Sequence, residues 1–121
     1  MNVLIVEDNS LMRAMMRETV SEFADVITEC GDGAEACSLY KKYRPDWVLM
    51  DWQMPKMDGI TATREIIGEF PKANICLVTA FDNEAIRAEA RQAGASRFVL
   101  KDNLFELEAI LHRRFEEKNE I

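Results

Sequence analysis

Residues 48–59 read VLMDWQMPKMDG, and this stretch joins the two patterns that decide the fold. Three apolar residues lead up to a single carboxylate, Asp51, as at the end of a buried strand. Pro55, Asp58 and Gly59 follow closely, and residues of these types end a strand and begin a turn. The stretch therefore predicts a short buried strand that carries Asp51 to the point where the chain turns.

Outward from this stretch, short apolar runs alternate with helical patterns along the chain. Strands are predicted over residues 2–6, 25–29, 46–50, 74–79 and 97–100. Helical spacing predicts helices over residues 9–23, 31–43, 60–70 and 83–94, and a last helix that opens at Asn103. The expected caps are Asn9 or Ser10 for the first helix, Asp32 for the second and Asn83 for the fourth. Strands that alternate with helices are typical of a parallel sheet covered on both faces. We therefore expect a single α/β domain over residues 1–121.

Composition limits the classes of function. The 121 residues are 48% hydrophobic and contain no run of about 18 apolar residues, so a globular domain without a membrane span is expected. The net charge of −7 disfavours binding to the phosphate backbone of a nucleic acid, so no direct contact with nucleic acid is expected. The N-terminus lacks the pattern of a secretion signal, and three cysteines without metal-site spacing indicate reduced thiols. We therefore expect a cytoplasmic protein.

Polar side chains stand at the ends of four of the five predicted strands. The first strand ends on Glu7 and Asp8, the third on Asp51, the fourth on Thr79 and the fifth on Lys101. A single acid or lysine at a strand end often only reaches water. The carboxyl ends of parallel strands share one edge of the sheet, however, and ligands bind in the crevice beyond that edge. The four strand ends together therefore predict a functional site there.

The residue types in this set indicate the chemistry of the site. Three carboxylates close together repel each other, and a hard divalent cation relieves that repulsion. A ligand set of oxygen atoms without His or Cys favours Mg²⁺ over zinc. Asp51 is then placed to act as a nucleophile that accepts a phosphoryl group, with Lys101 and Thr79 available to its oxygens.

Four motifs in order make the chain resemble the receiver domains of bacterial response regulators, the phosphorylated partners in two-component signalling. They are VLIVEDN near the start, VLMDWQMPKMDG in the middle, CLVTA on the fourth strand and GASRFVLK on the fifth. The resemblance covers essentially all 121 residues. It implies a flavodoxin-like, doubly wound, five-stranded parallel sheet of order 2-1-3-4-5.

The resemblance also implies roles for individual residues. Asp51 would accept the phosphoryl group from a phosphohistidine on a sensor histidine kinase or a histidine phosphotransfer protein. The implied Mg²⁺ ligands are Glu7, Asp8, Asp51 and the backbone carbonyl of Gln53. Thr79 and Lys101 would contact the phosphoryl group.

A switching mechanism follows from the same resemblance. Phosphorylation adds about −1.5 to −2 charges, and Thr79 would move to bond the new oxygens. Phe98, which matches the switch aromatic of the family, would turn inward into the space that Thr79 leaves. The face formed by helix 4, strand 5 and helix 5 would then change shape for a downstream protein target.

One position departs from the family pattern, and another bears on the rate at which the phosphoryl group would be lost. The family usually has proline after the lysine of the fifth strand, with a cis peptide bond, whereas Asp102 follows Lys101 here. A cis bond without proline is costly, so this bond is expected to be trans or strained. Phe81, two residues after Thr79, flanks the path of a hydrolytic water and is expected to slow loss of the phosphoryl group.

Other readings of the sequence remain open. A phosphatase or phosphomutase would also place Asp51 at a strand end, but such enzymes generally carry a second Asp where this chain has Gln53. A module that has lost phosphorylation and only binds partners would not need the full set of site residues. We therefore expect a phosphoacceptor that catalyses only its own phosphorylation and dephosphorylation, and not an enzyme that acts on other substrates. We expect it to be a monomer or a phosphorylation-dependent dimer.

The output of the protein is also left open by the sequence. Only EEKNEI follows the last predicted helix, and DWQMPKMDG is most similar to the single-domain, chemotaxis-type members of the family. A stand-alone regulator is therefore expected, and the alternative is a receiver fragment of a longer regulator with an output domain.

Overall fold

The structure, a computed structural model, describes residues 1–112 as a five-stranded parallel sheet with helices on both faces. The strands are β1 Asn2–Val6, β2 Val26–Cys30, β3 Trp47–Asp51, β4 Ile75–Thr79 and β5 Arg97–Leu100. The α-helices are α1 Ser10–Ser21, α2 Gly33–Tyr43, α3 Gly59–Glu69, α4 Glu84–Ala93 and α5 Leu107–His112. The strand order is 2-1-3-4-5, and every neighbouring pair is parallel. The predicted fold class is confirmed.

Side-chain caps define where the helices begin. Asn9 Oδ1 accepts a hydrogen bond from Met12 N at 2.8 Å, and Asn83 Oδ1 accepts one from Ala85 N at 2.8 Å. These bonds satisfy backbone donors that have no partner within the first turn of a helix. Each cap fixes the start of a helix that follows a strand end, so the β1–α1 and β4–α4 loops have defined ends.

The core consists of two layers, one on each face of the sheet. Alternate residues of each strand point to opposite faces, as Val48 and Leu49 do in β3. One layer packs against α2, α3 and α4, and the other packs against α1 and α5. Trp47 is fully buried in the second layer, and its Nε1 donates a hydrogen bond to Leu111 O at 3.1 Å. The central strand β3, which ends in Asp51, is thereby held from both sides.

The segment after β5 differs from the sequence prediction. A 3₁₀ turn over Lys101–Glu106 comes first, the α-helix begins only at Leu107, and Asn103 has non-helical φ and ψ angles of −118° and 34°. The predicted helix start at Asn103 is therefore wrong. The tighter turn places Leu104 in the core only a few residues after Lys101, which is tied to the sheet edge.

Two further predictions concern the chain near its end. Within residues 1–112 no peptide bond is cis, so the bond between Lys101 and Asp102 is trans. The segment EEKNEI, residues 116–121, lies outside the described residues.

Among residues 1–112, no helix has the length and apolar character needed to cross a bilayer.

Candidate functional site

A cavity of about 140 Å³ opens at the carboxyl edge of the sheet, and we call it the acidic cavity. It is lined by Glu7, Asp8, Asn9, Asp51, Gln53, Thr79, Ala80, Phe81 and Lys101. Six of the seven predicted site residues therefore meet in one place. The seventh, Phe98, lines a separate groove beside α4.

Strand register explains why these residues converge. Val6 of β1 is paired with Met50 of β3, so the residues that follow them, Glu7 and Asp51, emerge side by side. Asp51 is paired in turn with Val78, so Thr79 follows on the neighbouring strand β4. In a parallel sheet these ends all point to one edge, and the site is a direct consequence of the strand order.

Three carboxylates form the anionic part of the cavity. Glu7 is fully buried, Asp51 is 4% exposed, and Asp8 is open to solvent. One oxygen from each of the three lies within 4.8 Å of the others. This set offers only oxygen ligands with one face open to water, and such a set fits Mg²⁺, which keeps several of its waters. The donor chemistry therefore suits a hard divalent cation.

Lys101 neutralises part of this charge. Its Nζ lies 2.8 Å from Glu7 Oε1 and 3.0 Å from Asp51 Oδ1. Burial lowers the pKa of Lys101, but the hydrogen bonds to Glu7 and Asp51 outweigh that effect and raise it. The ammonium group is therefore charged in the folded protein and compensates two buried acids at once.

Asp51 is electrostatically unusual even with this partner. Burial and the nearby charge of Glu7 raise the pKa of Asp51 to about 7, although the Lys101 ammonium acts in the opposite direction. A carboxylate in such surroundings is poorly solvated. A cation bound between Asp51 and its acidic neighbours would favour the ionised form, which is the form a nucleophile requires.

Thr79 and Phe81 lie on one side of the cavity, and Phe81 in turn contacts a second aromatic residue. Thr79 is 1% exposed, and its Oγ1 accepts a hydrogen bond from Phe81 N at 3.3 Å. The Phe81 ring contacts Trp52 edge to face, with centroids 5.6 Å apart. The loops that follow β3 and β4 are therefore joined by an aromatic contact beside Asp51.

Asp32 holds the loop that follows Asp51, a role that sequence reasoning missed. Its Oδ1 accepts hydrogen bonds from Ala34 N at 2.9 Å and from Met57 N at 3.1 Å, and its Oδ2 accepts one from Lys56 N at 2.9 Å. The sequence indicated only the cap of α2, because the loop contacts are 24 and 25 residues distant. The Asp32 carboxylate thus links α2 to the loop that contains Gln53.

Two glycines permit the close approach of this loop to its surroundings. A Cβ atom at Gly33 would lie 2.5 Å from Met57 O, and one at Gly59 would lie 1.7 Å from Asp51 O. Gly59 N also donates a hydrogen bond to Trp52 O at 2.7 Å. The loop therefore folds tightly back on the end of β3, and this turn sets the direction in which Asp51 leaves the strand.

Comparison with known proteins identifies what this arrangement is similar to. The family model of the response regulator receiver domain matches residues 3–113. Protein CcdB of Bacillus subtilis (strain 168) is 43% identical over 100 residues, covering 82% of this chain and 83% of that protein. Chemotaxis protein CheY of the same strain is 40% identical over 100 residues, with the same coverage of 82% and 83%.

A solved structure gives the same likeness in three dimensions. A chain of the crystal structure of the CheX–CheY–BeF₃–Mg²⁺ complex from Borrelia burgdorferi is 29% identical and has a TM-score of 0.80, covering 87% of this chain and 84% of that chain. The range matched by the family model contains every residue that lines the acidic cavity.

Proposed function

We propose, from its membership of the response regulator receiver domain family, that this chain accepts a phosphoryl group from a phosphohistidine on Asp51. In the phosphorylated state it would control a downstream protein. The chain is a receiver domain of the two-component type. One observation carries the proposal for Asp51: this buried carboxylate lies 3.0 Å from the Lys101 ammonium, in a cavity that also contains Glu7, Asp8 and Thr79.

In the proposed transfer, an ionised Asp51 oxygen attacks the phosphorus of the phosphohistidine. The new O–P bond forms as the P–N bond breaks, and the departing imidazole nitrogen takes up a proton. Lys101 neutralises a phosphoryl oxygen from its position beside Asp51, and the Thr79 hydroxyl donates to another after giving up its contact with Phe81 N. Positioning and charge neutralisation supply most of the catalysis in such transfers.

The residues present fit a divalent cation at this site. Glu7, Asp8 and Asp51 would hold Mg²⁺ together with the backbone carbonyl of Gln53, which lines the same cavity. When bound, Mg²⁺ supplies positive charge that neutralises the acids and the incoming phosphoryl oxygens. The CheX–CheY–BeF₃–Mg²⁺ complex, a structural neighbour that contains Mg²⁺, supports this choice of ion by similarity.

The signal would leave the site through Thr79 and Phe98. Thr79 is buried at the end of β4, and Phe98 lies half-buried in the adjacent strand, where Leu77 is its register partner. If Thr79 moves to the phosphoryl group, Phe98 can turn towards the vacated space, and the face formed by α4, β5 and α5 changes shape. This is a shift between two packings, so a partner on this face would favour phosphorylation in return.

The proposed partners are a histidine kinase or phosphotransfer protein on the input side and a protein target on the output side. The family match supports this pairing by similarity, and one structural neighbour is a CheY that forms a complex with a second protein, CheX. The protein would act on no other substrate and would catalyse only its own phosphorylation and dephosphorylation.

Acetyl phosphate with Mg²⁺ tests the proposal. We expect one phosphoryl group per chain by intact mass, stable in acid and labile in base, in the wild type but not in Asp51→Asn. Asp25→Asn removes an exposed aspartate at the opposite edge of the sheet and should be labelled like the wild type. Labelling of Asp51→Asn, or no labelling of the wild type, would refute the assignment, and continuous turnover would indicate a phosphatase instead.

A further inference from the structure

We propose that Arg13 is a positioning residue that fixes two acidic ligands of the metal site and thereby makes the site prefer Mg²⁺ over Ca²⁺. Arg13 lies in α1 and does not line the acidic cavity. The inference rests on the proposed function in one point, which is that Glu7, Asp8 and Asp51 hold a divalent cation.

The guanidinium group of Arg13 holds the peptide bond that joins two of these acids. Its Nη1 donates a hydrogen bond to Glu7 O at 2.7 Å. This oxygen belongs to the planar peptide group between Glu7 and Asp8, so a single contact fixes the orientation of the backbone from which both side chains start. A hydrogen bond from a charged donor is also stronger than one between neutral groups.

The other polar groups of Glu7 have partners as well. Glu7 N donates to Cys30 O at 3.1 Å, and Glu7 Oε2 accepts a hydrogen bond from Asn9 N at 3.1 Å. Asp8 differs, because it is exposed and the direction of its side chain depends on the peptide plane that precedes it. The contact from Arg13 therefore matters most for the placement of Asp8 relative to Glu7.

Glu29 of β2 orients the guanidinium group for this task. Arg13 Nε donates to Glu29 Oε1 at 3.2 Å, and the second oxygen of Glu29 accepts a hydrogen bond from Arg17 Nη1. The side chains of Arg13 and Glu29 are only 26% and 28% exposed, so water screens this ion pair less than a pair on the open surface. Because a guanidinium group is a rigid planar fork, holding Nε on Glu29 also directs Nη1 to Glu7 O.

A fixed pair of ligands favours the ion with the stricter geometry. Mg²⁺ requires a nearly octahedral arrangement with short bonds, whereas Ca²⁺ accepts longer bonds and a flexible set of ligands. Residues that orient metal ligands typically contribute about 10–100-fold to metal affinity. Loosening the peptide between Glu7 and Asp8 should therefore weaken Mg²⁺ binding more than Ca²⁺ binding.

Titration of Arg13→Lys with Mg²⁺ and with Ca²⁺, followed by Trp52 fluorescence, tests the inference. Lysine keeps the positive charge but lacks the planar fork, so it cannot reproduce both contacts in the same geometry. We expect Mg²⁺ affinity to fall about tenfold and Ca²⁺ affinity to fall markedly less. Unchanged Mg²⁺ affinity would overturn the positioning role, and an equal loss for the two ions would overturn the proposed preference.

Arg17→Lys is the matched control. It makes the same substitution in the same helix and at the same acidic partner, Glu29, but Arg17 is not the residue that donates to Glu7 O. Mg²⁺ affinity should stay close to that of the wild type, and urea unfolding of both variants shows whether their losses of stability are comparable. If Arg17→Lys weakened Mg²⁺ binding as much as Arg13→Lys, the specific role of Arg13 would be refuted.

A double-mutant cycle tests the route through Glu29. Glu29→Gln alone should weaken Mg²⁺ binding, because Arg13 loses the charge that orients it. In the Arg13→Lys background the same change should have little further effect, since residues that act through one contact are not additive. Fully additive losses would refute this route and would indicate that Glu29 acts only through its charge.

Labelling by acetyl phosphate separates failure of this inference from failure of the proposed function. At saturating Mg²⁺, Asp51 of Arg13→Lys should be labelled as completely as in the wild type, because only the affinity for the metal is reduced. If the wild type is labelled and Arg13→Lys binds Mg²⁺ as tightly as the wild type does, the inference fails alone. If the wild type neither binds Mg²⁺ nor is labelled, the proposed function fails, and this inference fails with it.

Discussion

Lys101 and Asp51 form an ion pair that joins the ends of β5 and β3 across the intervening strand β4, with 3.0 Å between Nζ and Oδ1. The same ammonium group lies 2.8 Å from the fully buried Glu7. One cation therefore balances two acids that are almost inaccessible to water. A metal ion or a phosphoryl group entering the acidic cavity must rearrange these contacts, which makes Lys101 sensitive to both ligands.

Replacement of Lys101 tests this balance. Lys101→Met leaves two buried carboxylates without their partner, and we expect the free energy of unfolding of the metal-free protein to fall by about 1–3 kcal/mol at mildly alkaline pH. Mg²⁺ should recover most of the loss. Urea unfolding with and without Mg²⁺ measures both effects, with Lys72→Met as the control. A Lys101→Met protein as stable as the wild type without metal would contradict the assigned role.

The pKa of Asp51 predicts an unusual dependence of stability on pH. Burial and the charge of Glu7 raise it from 3.8 in the unfolded chain to about 7 in the folded protein. Between these two values the folded state binds the additional proton, so the free energy of unfolding should decrease as the pH rises from about 4 to about 7.

Asp51→Asn isolates this contribution. The variant should gain stability relative to the wild type as the pH rises through the same range, measured by urea unfolding in the presence of a chelator. Mg²⁺ affinity of the wild type should decrease as the pH falls below about 7, because the protonated carboxyl group is a poor ligand. A stability difference between the two proteins that does not vary with pH would contradict the assignment.

Asp32 is expected to act on the metal site through the loop that contains Gln53. Asp32→Ala removes the acceptor for Lys56 N and Met57 N as well as the cap of α2. We expect a loss of stability of about 1 kcal/mol from the cap and, in addition, severalfold weaker Mg²⁺ binding. Quenching of Trp52 fluorescence reports the affinity.

Asn83→Ala is the matched control for Asp32→Ala. It removes the cap of α4, whose side chain accepts hydrogen bonds from Ala85 N and Ile86 N of that helix, and should cost a similar stability while leaving Mg²⁺ affinity unchanged. Equal Mg²⁺ affinities in the two variants would show that Asp32 is only a helix cap.

Phe81 is expected to prolong the life of the phosphoryl group. Its ring closes one side of the acidic cavity and is held by the edge-to-face contact with Trp52. Phe81→Ala should open a path for water and accelerate loss of the phosphoryl group severalfold. The decay of labelled protein measures the rate, with Phe105→Ala as a control at an exposed aromatic outside the cavity. Equal decay in the wild type and Phe81→Ala would exclude this role.

Gly59 is expected to tolerate no side chain. An added Cβ atom would lie 1.7 Å from Asp51 O, so Gly59→Ala must displace the end of β3 and should cost about 3 kcal/mol or more. Gly68→Ala is the matched change in the same helix, where nothing lies within 4 Å of the new atom. It should stabilise the protein by about 0.5–1 kcal/mol. Urea unfolding of both variants tests the contrast, which similar values would refute.

Much of the fold was predictable because its signals are local. Alternation of apolar runs with helical spacing marked every strand to within a residue at either end, and Asn9, Asp32 and Asn83 were recognisable as caps beside the helices they begin. The segment after β5 was not predictable in the same way. Leu104 is buried three residues after Lys101 within a 3₁₀ turn, and Asn103 followed by Glu106 is an ordinary helix-start signal that carries no information about that packing.

The sequence by itself determined that polar side chains would gather at the carboxyl edge of a parallel sheet, since strand ends and turns are marked by neighbouring residues. Only the tertiary structure decided that Lys101 bridges Glu7 and Asp51, that Asp32 holds the loop after Asp51, and that Arg87 covers Phe98. These contacts depend on strand register and on the placement of helices against the sheet. Such placement is set by packing between distant segments, and no local pattern records it.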